Sequence, residues 1–336
     1  MPSAASKPLR GRVRRGLGVV LAVVLALGLP LATEAQQSAR IPHVGVLLFG
    51  TPASDPNFEA FRSGLRDLGY VEGQNVALEY RYAEGKPERL ASLALELTQL
   101  KPNVIFALGG DVTPFVRTAT STIPIVMAVS VDPLQAGLVP SLTRPGANLT
   151  GVTFASSEVA AKRLQLLNDV APRMIRVGVL WNPDHIDPEY RETQAAARSL
   201  GIQIHSLEVR GPGDFDAAFR SAETARLEAI VVVSSRLMTL NRQSITDFAT
   251  ARRIALVTGW GPWAQGGALL SYGPDLNASV RRAATHVDKI LKGSRPGDLP
   301  VEQPTKFELV INLKTANALG ITIPPPVRLR ADRLID

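Results

Sequence analysis

The chain is 336 residues long, 45% hydrophobic and 20% charged, with 27 Gly, 25 Pro and no Cys. That length predicts roughly two domains, each large enough to bury a core, and the composition excludes a disordered or collagen-like chain. Without Cys there is no disulfide scaffold, thiolate metal site, cysteine nucleophile or lipid-modified N-terminal Cys, and His43, His185, His205 and His286 show no HExxH or paired-His spacing.

The net charge of +7 is dominated by the first segment. Lys7, Arg10, Arg12, Arg14 and Arg15 precede an apolar stretch from Gly16 to Ala32 and then Thr33-Glu34-Ala35. A basic, apolar and small-residue order of this kind is a secretory signal peptide over 1–35, cut after Ala35. As a membrane anchor the stretch is short, because about 20 apolar residues are needed to span and Pro30 interrupts it. Removing the segment leaves 32 basic against 29 acidic residues, a net of +3. So small an excess gives no electrostatic footprint for nucleic acid.

From His43 onward, short apolar runs alternate with helical patterns. Val44–Phe49, Val76–Tyr82, Val104–Leu108 and Ile125–Val129 read as strands. Phe58, Phe61, Leu65 and Leu68 share one helical face, as do Leu90, Leu93, Leu97 and Leu100, with Pro56 and Pro87 suited to first turns. Strand–helix alternation requires crossover connections and a parallel sheet covered on both faces.

The second half repeats the first. Val44-Gly45-Val46-Leu47 recurs as Val177-Gly178-Val179-Leu180 at an offset of 133. Asp55-Pro56 recurs as Asp187-Pro188, and Leu68-Gly69 as Leu200-Gly201, both at 132. Ile105–Leu108 corresponds to Ile230–Val233, and Ile123–Val129 to Ile254–Thr258. Matches in order at a nearly constant offset predict two similar lobes. Leu149–Phe154 and Ala268–Tyr272 read as strands leading into new helices over 158–170 and 276–291, and Phe307–Ile311 as a further strand. The fold class is therefore α/β: two similar doubly wound parallel-sheet lobes joined by a multi-strand hinge. The expected division is 41–152 plus about 275–312 for the N-terminal lobe, and 153–274 plus about 313–336 for the C-terminal lobe and hinge return.

Ligands of open parallel sheets lie beyond the carboxyl ends of the strands. Those ends carry Thr51 and Ser54, Gly109-Gly110, Asp132, Asn182, Ser234-Ser235, Trp260 between two glycines, Tyr272 and Asp275. Small residues admit backbone N–H groups to a ligand, and a helix N-terminus favours a carboxylate. Gly109-Gly110 and Ser234-Ser235 are the candidate carboxylate sites, and Asp132 and Asp275 the candidate partners of an ammonium. Each Asp also reads as a cap. The glycines beside Trp260 are expected to leave its face open for stacking. His185 has Asp184 and Asp187 nearby, although Asn-Pro-Asp-His also reads as a solvated turn. No P-loop, dinucleotide fingerprint or G-x-S-x-G elbow occurs.

Five segments carry a family resemblance: GLRDLGYVEGQNV (64–76), SVDPLQAGLVPSLTRPGANLTGVTF (130–154), YGPDL (272–276), KILKGSRPGDLPVEQPTKFELVINLKTANALGITIP (289–324) and LRADRLID (329–336). From about Ile41 to its end the chain resembles the periplasmic substrate-binding proteins of ABC importers grouped around tryptophan- and tyrosine-binding members. The resemblance implies a type I periplasmic binding fold whose lobes close over a small solute, and a cognate permease and ATPase as partners. Carried over by position, Asp132, Asn182, Tyr272 and Asp275 fall in cleft-facing loops, with Thr51 and Ser54 matching less firmly; the loop 182–186 departs from the family's Asn-rich form. The expected protein is a periplasmic, monomeric, non-enzymatic receptor for an amino acid or aromatic-containing solute. It needs no cofactor or metal, binds no nucleic acid, and meets the membrane only through the permease. The alternative is the ligand-sensing module of a signalling system that uses this fold without transport; a transcriptional regulator would need a helix-turn-helix where this chain has an export signal.

Overall fold

The computed structural model describes residues 1–3 and 41–336. The cleavage site after Ala35 and nearly all of the leader lie outside the described residues. The first lobe runs β1 (His43–Leu48), α1 (Phe58–Asp67), β2 (Ala77–Tyr82), α2 (Leu90–Gln99), β3 (Val104–Leu108), α3 (Thr113–Ala119), β4 (Ile125–Val129) and β5 (Leu149–Thr153). Its five strands pair in parallel in the order β2-β1-β3-β4-β5. All residues of β3 and β4 are buried, as continuous apolar runs covered on both faces require.

The second lobe begins with α4 (Ala160–Val170), β6 (Arg176–Trp181), α5 (Glu189–Leu200), β7 (Gln203–Glu208), α6 (Phe215–Thr224) and β8 (Ala229–Val232). It continues through α7 (Arg236–Leu240), α8 (Arg242–Ala251), β9 (Ala255–Thr258), α9 (Gly261–Gln265) and β10 (Leu270–Gly273). Strands β10-β9-β8-β6-β7 repeat the order β5-β4-β3-β1-β2, so the repeat read from sequence is a repeat of topology. The chain then re-enters the first lobe as α10 (Leu276–Leu291), which packs on α1, β4 and β5. Gly64 makes that helix contact close: a Cβ there would lie 2.6 Å from the Arg281 carbonyl oxygen.

After α10, Glu302 bridges the edge of β5, its N–H donating to the Gly151 carbonyl at 2.9 Å. The chain then crosses back as β11 (Glu308–Asn312), α11 (Leu313–Leu319), α12 (Pro325–Arg330) and β12 (Arg333–Ile335). β11 pairs antiparallel with β10 and parallel with β12. This corrects the boundary expected near residue 312, because 308–312 belong to the second sheet. The antiparallel β10–β11 pair joins an otherwise parallel second sheet, and a buried apolar run such as Leu309-Val310-Ile311 carries no mark of its partner or direction. The lobes are thus joined by three crossings, over 154–159, 273–276 and 303–307. One apolar cluster runs from Val46 and Phe106 through to Leu180, Met238 and Trp263, and a second fills the other face of the second sheet around Val177, Val231 and Leu270. Among the described residues no helix is long and apolar enough to cross a membrane.

Candidate binding site

In this strand order each sheet has a switch point, between β1 and β3 in the first lobe and between β6 and β8 in the second. Chain paths diverge there and leave a crevice at the carboxyl ends. The loops at the first are 49–57 and 109–112, and at the second 182–188 and 233–235. The two crevices face one another, and their side chains join.

Arg236, at the start of α7, extends across the cleft. Its Nη2 lies 2.6 Å from Asp55 Oδ2 with both side chains at most 3% exposed, and its Nη1 donates to Asn57 Oδ1 at 3.1 Å. Its backbone N–H donates to Asp111 Oδ2 at 2.9 Å, so the carboxylate that meets this helix start is the protein's own. From the other loop, His185 Nδ1 lies 2.5 Å from Asp111 Oδ1, and its Nε2 is 3.3 Å from Ser130 Oγ. Ser130 Oγ donates to the Ser234 carbonyl at 3.0 Å. The glycines at the end of β3 make room for this approach. A Cβ on Gly109, whose φ is +119°, would lie 2.5 Å from Arg236 Cγ, and one on Gly110 2.8 Å from His185 Cε1.

Ser130, His185 and Asp111 have the connectivity of a Ser–His–Asp triad, but the Ser130 hydroxyl also reaches the Ser234 carbonyl. Burial acts to lower the His185 pKa; Asp111, with Asp187 and Glu189 behind it, pushes it up to about 9. Asp111 is desolvated as well, but His185 and Arg236 hold it below the usual carboxylate range. An imidazolium cannot accept the serine proton, and the hydroxyl already donates to a carbonyl. The arrangement binds one lobe to the other. Beneath it, Arg163 and Glu189 form an ion pair with both side chains fully buried. Glu189 Oε2 accepts the Ser234 N–H at 3.0 Å, and Arg163 Nε donates to the Tyr272 carbonyl at 2.8 Å.

Next to this cluster lies an interlobe cavity of about 400 Å³, within the range of small-molecule sites. The first lobe and the second connection contribute Asn57, Asn277 and Asp275 to its wall, and the second lobe contributes Trp260, Arg242 and Arg333. Asn57 belongs to both features. Its Nδ2 donates to Asn277 Oδ1 at 2.9 Å on the cavity side, while its Oδ1 meets Arg236.

The residues singled out in the sequence distribute unevenly over these features. Gly109, Gly110 and Ser234 lie in the interlobe cluster, and Asn182 holds its loop by accepting the Asp184 and His185 N–H groups. Ser235 caps α7 through the Met238 N–H at 3.3 Å. The N–H groups of Gly109 and Ser234 are already committed, to Ala128 O and Glu189. Thr51 and Ser54 bond to each other. The Tyr272 ring packs against Phe307. Asp132 accepts the N–H groups of Leu134 and Gln135, and Asp275 that of Ala278 at 3.0 Å, so both hold chain turns. Trp260 lines the cavity but is 4% exposed, against the open face expected from its glycines. Those glycines let neighbours close in: a Cβ on Gly259 would lie 2.8 Å from Arg163 Nη2. Asp55, Asn57, Asp111 and Arg236 were not singled out as site residues, and the 182–187 loop is only partly solvated, with His185 buried while Asp184 and Ile186 are exposed. A signal for one of these groups was present in the sequence: the repeated Asp55-Pro56 and Asp187-Pro188 place Asp55 against Arg236 and Asp187 beside His185.

Asp275 gives a direct prediction. Its side chain caps a 16-residue helix, so Asp275→Ala is expected to lower stability by about 0.5–2 kcal/mol, and Asp275→Asn by much less. Urea melts of the two variants check this, and equal losses in both would contradict the capping role.

Two repeated α/β lobes, three crossings and a polar cleft at facing switch points define the type I fold of solute-binding proteins. A model of the ABC transporter substrate binding protein family matches residues 43–335, and the chain belongs to that family: it is a solute receptor of an ABC transport system. It is 24% identical over 272 residues to the tyrosine-binding protein of Clostridioides difficile, covering 80% of this chain and 78% of that one. Its fold is similar to a conserved domain protein of Vibrio cholerae O1 biovar El Tor, with a TM-score of 0.81, 27% identity, and coverage of 88% and 100% of the two chains. It is also similar to an ABC domain from Streptococcus pneumoniae solved with L-Trp, with a TM-score of 0.79, 24% identity, and coverage of 88% and 99%.

Proposed function

We propose that the solute is an amino acid or a similar small polar molecule with an aromatic part, held between the lobes and passed to a cognate permease and ATPase. The observation that carries this reading is the cavity beside the interlobe cluster, which sets the Trp260 indole among two arginines and Asp275. An aromatic residue in the wall suits a solute with an aromatic part, and the charged lining suits a polar one. The ligands named for the two relatives, tyrosine and L-Trp, support the same class. In this reading the receptor is a monomer that binds no nucleic acid and performs no chemistry on the solute. The loops carrying Gly109, Gly110, Asp132, Asn182, Ser234, Ser235 and Tyr272 close around the solute, and residues 1–35 are a leader removed on export to the periplasm.

The test uses the mature chain recovered from the periplasm, whose intact mass is expected to place Gln36 first. Thermal-shift screening against amino acids, nucleobases and small organic acids follows, with calorimetry on any compound that shifts the melt. The expected result is saturable binding of an aromatic amino acid. A shift confined to nucleobases or organic acids would overturn the ligand class, and a full-length chain in the membrane fraction would overturn the leader.

A further inference from the structure

The interlobe charges are divided by lobe. Asp55 and Asp111 come from the first lobe, and His185 and Arg236 from the second. Asp111 is fully engaged: His185 takes one oxygen and the Arg236 N–H the other. The other pair is not. Asp55 Oδ2 and Arg236 Nη2 touch at 2.6 Å but out of line for a hydrogen bond, and among the described residues neither these two atoms nor Arg236 Nε has a hydrogen-bond partner, although all three are buried. Buried polar groups are almost always hydrogen-bonded. A carboxylate and a guanidinium kept dry with bonding capacity to spare, at facing switch points, are built to receive groups of opposite charge.

We propose that the Asp55–Arg236 pair is the seat of a zwitterionic head group. On this assignment, which rests on the amino-acid reading above, the cleft opens and the ligand enters between the two charges. The ammonium takes Asp55 on the first lobe and the carboxylate takes Arg236 on the second. The aromatic part lies past Asn57 in the cavity walled by Trp260. The exchange conserves charge, since one intramolecular pair becomes two intermolecular pairs, and each is a charge-assisted hydrogen bond in a dry site. It also makes closure selective. An amine without the carboxylate leaves Arg236 unpaired as the lobes shut, and an acid without the ammonium leaves Asp55 unpaired.

The probes are L-tryptophan, tryptamine and indole-3-propionate, with L-tyrosine, tyramine and the matching phenol acid as a second series. Calorimetry is run on the parent chain, Asp55→Asn, Arg236→Gln and the double variant, each checked for folding by circular dichroism. In the parent the amino acid is expected to bind about 30-fold or more tightly than either analogue. Asp55→Asn should erase the preference over the acid, Arg236→Gln the preference over the amine, and the double variant both. The double variant leaves neither charge stranded, so it reports on recognition even where a single variant resists closure. If an amino acid binds and all three variants discriminate as the parent does, the head group sits elsewhere and this assignment falls alone. If no amino acid binds the parent, the amino-acid reading falls and takes the assignment with it.

Discussion

Glu189→Ala is expected to destabilise the second lobe by about 3–5 kcal/mol, the cost of removing one partner from a buried ion pair. Glu189 and Arg163 have no side-chain exposure, so water cannot reach the guanidinium left behind. The carboxylate has two further roles. It accepts the Ser234 N–H at 3.0 Å, which fixes the loop ahead of α7, and it stands behind His185. Arg163 in turn holds the Tyr272 carbonyl at the second connection. The pair therefore ties together the β6, β8 and β10 loops that present the second half of the cleft. Glu189→Gln keeps an acceptor for Ser234 but removes the charge, and is expected to fall between parent and Ala. Chemical denaturation followed by tryptophan fluorescence measures the series, since all three Trp lie in this lobe. A loss below about 1 kcal/mol for Ala would show that Arg163 finds another partner, which the buried surroundings do not offer.

Where sequence and structure agree, the reason is local. Strands such as Val104–Leu108 are apolar at every position because both faces are covered, and that pattern needs no knowledge of the partner. The repeat was legible because each lobe solves the same packing problem in the same order. The cleft residues were harder to read because their burial is created by the other lobe. Asp55 before Pro56 reads as a turn former in isolation, and only the arrival of Arg236, 181 positions later, makes it a buried charge. Asp111 and His185 depend on each other in the same way across 74 residues. Asp132 and Asp275 read as both caps and ligand contacts, and the structure displays the capping half of that reading: both accept N–H groups of the turns they start, with the Gln135 side-chain amide also on Asp132. Trp260 shows the limit of composition: glycine beside an aromatic ring can mean open space or close packing, and here it means close packing.

The His185 contact also fixes how stability should change with pH. In the unfolded chain His185 titrates near its ordinary 6.5, and in the folded protein Asp111, Asp187 and Glu189 outweigh burial and push it up to about 9. A raised folded pKa means that the folded state holds the proton more tightly. The stabilisation is complete below pH 6.5 and is lost as pH rises through 9, so the slope is negative across that window. Its full size is on the order of 3 kcal/mol. Asp187 acts in the same direction at lower pH. Burial and the Glu189 carboxylate push it up to about 7, so its share is present below pH 3.8 and is lost as pH rises through 7. Asp111, held below the ordinary range, contributes oppositely: its share is present above pH 3.8 and lost as pH falls through its folded value. Because Asp111 and His185 sit on different lobes, the alkaline loss should appear first as a weakened lobe–lobe contact. Melting temperatures at pH 6, 7.5 and 9.5 are expected to fall for the parent and to fall less for His185→Gln, which keeps a donor for Asp111 without the titrating charge. Scattering at pH 9.5 should show a larger radius of gyration than at pH 6. Parallel melting curves for parent and variant, with no change in radius, would mean that the His185–Asp111 contact does not hold the lobes together.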